Sequence, residues 1–149
     1  MNPKISIIIP ICNVEKYLQK ALDSAVNQTF KDIEIICVDD CSSDNSLAIL
    51  YEFSNKDSRI KIIKQKTNQG QGATRNLALS KACGDYIMLL DPDDWFELNA
   101  CEEAYNSILA NNNDFVIFDF NKYFEKNNKR KLCTYRTKPF KEFFDTNGF

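Results

Sequence analysis

The stretch Leu89-Leu90-Asp91-Pro92-Asp93-Asp94-Trp95 ends an apolar run in three carboxylates. Charges crowded at the end of a buried strand cost on the order of several kcal/mol each unless something pairs with them. A divalent cation is the obvious partner. Mg²⁺ and Mn²⁺ are hard ions that prefer carboxylate oxygens, and a bound diphosphate can supply their remaining ligands. A second acidic pair, Asp39-Asp40, closes another β-rich run. An Asp at a strand end can accept a hydrogen bond from N3–H of uracil or from the N1–H edge of guanine, so both are candidates for reading a nucleobase. The structural alternative is a solvated turn at Asp91–Asp94 with an Asp capping the next helix, and an Asx turn that accounts for one of Asp39 and Asp40.

These residues need elements to position them. Ile5–Ile9 is a nearly continuous apolar run ended by Pro10, the pattern of a strand covered on both faces. Val14, Leu18, Ala21, Leu22, Ala25 and Val26 have helical spacing and predict a helix over 14–28. Further strands are expected at 33–38, 60–63, 85–90 and 115–120. Helices are expected from the N-caps Ser42, Ser43 and Asp44 through Leu50 and Tyr51, then at 73–82 and 98–109, with Asn68–Gly72 a loop. Strands alternating with helices at this spacing imply an α/β fold with a mostly parallel sheet flanked by helices. In such sheets ligands bind beyond the carboxyl ends of the strands. Pro10–Asn13, Asp39-Asp40 and Asp91–Asp94 all fall there, and their convergence argues for one site better than any of them alone.

A chain of 149 residues fits one domain with a real core. The net charge of −2 gives no reason to expect nucleic acid as a partner. There is no histidine, which excludes an imidazole base, and Cys37 and Cys41 lack the second half-site that zinc would need. No signal-peptide core opens the chain, so a cytoplasmic protein is expected, with Cys12, Cys37, Cys41, Cys83, Cys101 and Cys133 as free thiols.

After Phe120 the character changes. Basic residues from Lys122 to Lys141 alternate with aromatics from Tyr123 to Phe144, and a hairpin turning at Asn127-Asn128 is expected. Residues 1–120 are read as the site-bearing domain and 121–149 as a basic, aromatic extension. For the extension, a solvated hairpin is favoured over peripheral contact with an anionic membrane surface. Phe140, Phe143 and Phe144 offer an apolar patch for self-association into a homo-oligomer.

Five motifs, in order, strongly resemble those of family-two glycosyltransferases. They are Ile-Ile-Ile-Pro-Ile-Cys-Asn-Val-Glu-Lys-Tyr-Leu (7–18), Asn-Gln-Thr-Phe (27–30), Val-Asp-Asp-Cys-Ser-Ser-Asp-Asn-Ser (38–46), Asn-Gln-Gly-Gln-Gly-Ala-Thr-Arg-Asn (68–76) and Gly-Asp-Tyr-Ile-Met-Leu-Leu-Asp-Pro-Asp-Asp-Trp (84–95). The resemblance implies a GT-A (Rossmann-like) fold, a nucleotide-sugar donor that is usually a UDP-sugar, and Mn²⁺ or Mg²⁺ held by an Asp-x-Asp motif. It also implies inversion at the anomeric carbon and a glycan or lipid-linked acceptor, in the setting of polysaccharide synthesis at the inner face of the membrane. Carried over by position, Pro10, Ile11, Cys12 and Asn13 line the base pocket, Asp40 holds the uracil edge and Asp39 supports it. Arg75 lies near the diphosphate, Asp91 sits by the ribose with Pro92 in the same nucleotide-binding turn, and Asp93 with Asp94 binds the metal.

The chain departs from the family pattern in places. Cys12 stands where many relatives have an aromatic residue, and Cys41 and Ala78 replace common glycines. An inverting transferase needs a general base for the acceptor hydroxyl. The late acids Asp114, Asp119, Glu125, Glu142 and Asp145 lack the context of the family's base motif, so the base is unassigned. The chain is therefore read as the donor-binding half, truncated on its C-terminal side, with 121–149 the start of the acceptor-side region. A non-catalytic nucleotide-binding or assembly module shares every donor-site residue and stays open. A phospho-receiver domain would carry its acidic pair after the first strand, and a nucleotidylyltransferase would carry a Gly-rich loop with Arg there; neither pattern occurs.

Overall fold

Strand β1 (Ile5–Ile11) is buried along its whole length, as expected of a strand with neighbours on both edges and helices on both faces. In the computed structural model, which describes residues 2–111, 113–124, 126 and 128–133, it pairs in parallel with β2 (Ile33–Asp39) and with β4 (Tyr86–Leu89). Strand β3 (Ile60–Lys64) adds in parallel to the far edge of β2, giving the order β3-β2-β1-β4. The intervening helices are α1 (Glu15–Val26), α2 (Ser46–Ser54) and α3 (Gln71–Leu79), with α4 (Ala100–Asn111) after β4. This is the mostly parallel, helix-flanked sheet that the alternation predicts, with Pro10 inside β1 rather than ending it.

Side-chain alternation divides the core. Ile5, Ile7, Ile9 and Ile11 of β1 pack with Leu18, Leu22 and Ala25 of α1 and Leu50 of α2. On the opposite face Ile8, Ile36 and Val38 pack against Ala78 and Leu77 of α3. That second face also buries a charge. Glu34 is only 3% exposed, on the same strand face as the buried Ile36 and Val38. Its carboxylate accepts bonds from Ser6 Oγ at 2.5 Å, Lys61 Nζ at 2.6 Å and the Cys83 amide at 2.6 Å. Burial by itself raises the Glu34 pKa, but the bonds from Lys61, Ser6 and Cys83 outweigh it and hold the group below the ordinary carboxylate range. Ser6 Oγ in turn accepts the Gly84 amide at 2.9 Å. A Cβ on Gly84 would stand 2.6 Å from the Ser6 nitrogen and 2.8 Å from the Ile5 carbonyl carbon. The turn into β4 can therefore reach β1 only with glycine there.

The chain divides into two units, one ending at Asn106 and the other beginning at Ser107. In the second, Phe120–Phe124 (β5) pairs antiparallel with Lys129–Cys133 (β6). This is the expected hairpin, with Asn128 in the left-handed region at φ 52°; Asn127, Glu125 and everything after Cys133 lie outside the described residues. The strand expected at 115–120 is not formed: 115–119 is in neither helix nor strand, and pairing starts at Phe120 opposite Cys133. An apolar run becomes a strand only where a neighbour takes up its backbone groups, which the run itself does not specify.

Gly84→Ala is expected to cost about 1–3 kcal/mol, because the overlap is with backbone that cannot rotate away; denaturant unfolding measures it. Since the folded-state pKa of Glu34 is lowered, its contribution is complete above the ordinary carboxylate range and is lost as pH falls through the lowered value. Stability against pH for Glu34→Gln should accordingly fall less steeply in that acid window than for the unaltered protein.

Candidate functional site

The ends of β1, β2 and β4 open into one cleft of about 560 Å³. Pro10–Asn13 follow from β1, Asp40 from β2, and Pro92 and Asp93 from β4, with Asn68, Gly70 and Thr74 closing the β3–α3 side. The expected convergence of strand-end residues is thus present. Asp39, Arg75, Asp91 and Asp94 are not among its walls.

Asp40 is 3% exposed and its carboxylate is heavily used by the protein. Oδ1 accepts bonds from Gln65 Nε2 at 3.0 Å and the Gln69 amide at 2.7 Å, and Oδ2 accepts the Gly70 amide at 2.8 Å. Gly70 sits at φ 81°, a backbone conformation that favours glycine, at the start of α3. A carboxylate offers about four acceptor positions, so a ligand donor can still reach Oδ2. Asp39 is fully buried; Oδ1 accepts the Ser42 amide at 3.4 Å, and Oδ2 has no partner. Cys41 follows at φ 62°, which explains why glycine suits that position.

Two helix starts cap each other beside the cleft. Ser46 Oγ accepts the Val14 amide at 3.0 Å, and Asp44 accepts the Glu15 amide at 3.0 Å while its other oxygen takes the Ser46 amide at 3.0 Å. Glu15 Oε2 returns the bond by accepting the Asn45 amide at 2.8 Å. Asp44 therefore serves α1 as well as α2, and these first-turn amides are already satisfied. Asn13, at φ 52°, accepts the Ser43 amide at 2.8 Å. Cys12 receives a bond from Asn68 Nδ2 at 3.2 Å. Burial, then the charges of Asp40 and Asp39, push its thiol pKa up, which disfavours the thiolate.

At the acidic turn the Asp94 amide donates to the Asp91 carbonyl at 3.0 Å. Asp91 is ion-paired with Arg75 Nη2 from α3, and the Arg75 Nε is buried without a partner. Asp93 and Asp94 are exposed. Asp94 has its pKa raised, first by partial desolvation of the carboxyl and then by the charges of Asp93 and Asp91. Among the described residues no three carboxylate or thiol side chains form a closed metal cage. Two adjacent carboxylates that repel each other fit instead a hard cation sharing its remaining ligands with an anionic molecule.

Sequence reasoning named the residues that follow β1, β2 and β4 and read Asn68–Gly72 as a loop, but it did not foresee that Gln65 and the loop amides would hold the Asp40 carboxylate. Gln65, Asn68 and Thr74 were legible only as polar residues near a glycine-rich loop. Gly70 was the signal available, since a glycine there marks a turn or a close approach.

A family model described as "Glycosyl transferase family 2" matches residues 6–148. Glycosyltransferase GlyA of Streptococcus pneumoniae is 42% identical over 120 residues, 80% of this chain and 17% of its own length. The crystal structure of Staphylococcus aureus TarS 1-349 in complex with UDP-GlcNAc superposes with a TM-score of 0.71 at 35% identity, covering 74% of this chain and 32% of that one. The mannosyltransferase PcManGT of Pyrobaculum calidifontis, in complex with GDP-Man and Mn²⁺, shares the fold at a TM-score of 0.60 and 20% identity, over 64% of this chain and 29% of that one. The chain spans less than half the length of the curated relatives it matches. A match that begins inside β1 and runs nearly to the last residue leaves one conclusion about descent: the chain belongs to glycosyl transferase family 2.

Proposed function

We propose that this chain is the donor-binding half of an inverting glycosyltransferase that takes a UDP-sugar with Mn²⁺ or Mg²⁺. The observation that carries the reading is the single cleft into which the β1, β2 and β4 ends deliver both Asp40 and Asp93. Pro10–Asn13 line the base, and the remaining acceptor position on Asp40 Oδ2 takes the uracil N3–H. Asp39 supports that strand end from behind. Asp91 and Pro92 lie at the ribose, and Arg75, already held by Asp91, stands on the diphosphate side. Asp93 with Asp94 holds the cation, which when bound neutralises charge on the departing diphosphate. The acceptor on this reading is a glycan or a lipid-linked glycan, met at the cytoplasmic face of a membrane. Among the described residues no helix is long and apolar enough to cross one.

The reading predicts metal-dependent UDP binding by the 149-residue chain. Titration calorimetry with UDP, GDP and dTDP, with Mn²⁺ and then with chelator, should show UDP preferred and most of its affinity lost with the metal. Asp93→Asn should weaken the Mn²⁺-dependent binding by roughly 100-fold, since loss of even an outer-shell partner costs about 10–100-fold. No binding of any of the three would overturn the reading.

A second reading, a non-catalytic nucleotide-binding or assembly module, is favoured by one observation. In the first unit, no described carboxylate after Asp94 lines the cleft, where a general base would have to act. Both readings predict negligible sugar transfer by this chain alone. Acceptor-dependent turnover by the isolated protein, followed as UDP release from a UDP-sugar, would refute the half-site assignment. Turnover restored by adding the remaining part of a relative's chain would favour the transferase over the module.

A further inference from the structure

Helix α1 carries a row of contacts to the segment just past the acidic turn. Lys20 Nζ lies 3.1 Å from the centroid of the Trp95 ring. Ser24 Oγ accepts the Phe96 amide at 3.1 Å. Gln28, just beyond the helix, donates from Nε2 to the Glu97 carbonyl at 2.8 Å and accepts the Cys101 amide on Oε1 at 2.9 Å. Lys20 and Ser24 are four apart and so share one helix face, and Gln28 extends the row just past the helix end. The next residue continues the row, with the Thr29 amide donating to the Leu98 carbonyl at 2.8 Å. Gln28 is fully buried, and its second Nε2 hydrogen goes to the Ser24 carbonyl at 2.9 Å. A buried amide whose donors and acceptor all meet backbone groups dictates where those groups lie, because leaving any of them unpaired is costly.

On the other side the acidic turn is tied to the sheet, where the Leu90 amide donates to the Ile8 carbonyl at 3.0 Å. Only residues 91–94 separate that tie from the α1 contacts, which begin at Trp95. We propose that Gln28 is a positioning residue for the Asp91–Asp94 turn, holding Asp93 and Asp94 at the spacing that lets them share one cation. It touches neither nucleotide nor metal and acts through the backbone at Glu97 and Cys101. The proposal rests on the donor-site reading above. The competing account is that Phe96 and Cys101, packed into the core, hold the segment without help.

The test compares the intact 149-residue protein with Gln28→Met, which keeps volume but removes every hydrogen bond, and with Ser24→Ala, a milder change at the same row. Two readouts are taken: UDP titration with Mn²⁺ and with chelator, and hydrogen exchange of the ligand-free protein at residues 91–95. Gln28→Met should weaken the Mn²⁺-dependent part of UDP binding roughly 10- to 100-fold, the usual effect of an outer-shell partner, and leave the metal-free part unchanged. Exchange at 91–95 should quicken, with Ser24→Ala showing the same pattern to a smaller degree. Equal loss of both binding components, or lower thermal stability with unaltered exchange at 91–95, would overturn the proposal. If the unaltered protein itself shows no Mn²⁺-dependent binding, the donor-site reading fails. Exchange then decides alone: quickening that reaches 91–95, beyond the amides bonded to the altered side chain, sustains the positioning role, and its absence at 91–95 overturns it.

Discussion

Because β1 hydrogen-bonds in parallel to β2 on one edge and to β4 on the other, each strand carrying a polar cluster must end at the same rim of the sheet. Parallel strands deliver their carboxyl ends together, and the crossover helices return the chain to the opposite rim before each new strand. Pro10–Asn13, Asp40 and Asp93 therefore meet in one cleft although up to 83 positions separate them in the chain (Asp93 minus Pro10). The opposite rim supports this arrangement with the buried Glu34, whose bonds to Ser6, Lys61 and Cys83 tie β1, β2, β3 and the turn into β4 together.

Carboxylates serve two different ends in this molecule. Glu34, Asp40 and Asp44 accept protein donors and hold loops or strands in place. Asp93 and Asp94 stand exposed and adjacent, and the Asp94 pKa is raised first by partial desolvation and then by the neighbouring charges of Asp93 and Asp91, which a cation would offset. Asp91 lies between these roles, its charge balanced by Arg75. The division follows from geometry. A carboxylate deep in the rim must find amides or be destabilised, whereas one on an exposed turn keeps its water until a ligand replaces it.

The three strand ends at the cleft are framed by polar side chains that reach across sequence. Asp40 fixes the Gln69–Gly70 turn, Asp44 and Glu15 exchange caps between α1 and α2, and Gln28 meets the chain beyond the acidic turn. Each of these bonds joins segments well apart in the chain, so no local pattern announces it.

Apolar runs ending in Pro10, Asp40 and Asp91, and helical spacing from Val14 to Val26, were enough to establish the alternating strands and helices and the rim where a ligand would sit. Those features are local: period and strand-end chemistry are properties of neighbouring residues. The same reasoning expected a strand at 115–119, where the described backbone is in neither helix nor strand, because pairing depends on a partner that a local run does not specify. It also gave Glu34 no role and read Asp44 as a cap for α2 alone. Tertiary structure decided those points. Only when β1, β2 and β3 are side by side does Lys61 reach Glu34, and only when the two helix starts meet does Asp44 reach the Glu15 amide. Sequence by itself determined which residues stand at the rim; folding decided which of their oxygens the protein uses and which remain for a ligand, because a hydrogen bond is set by distance in space and not by separation along the chain.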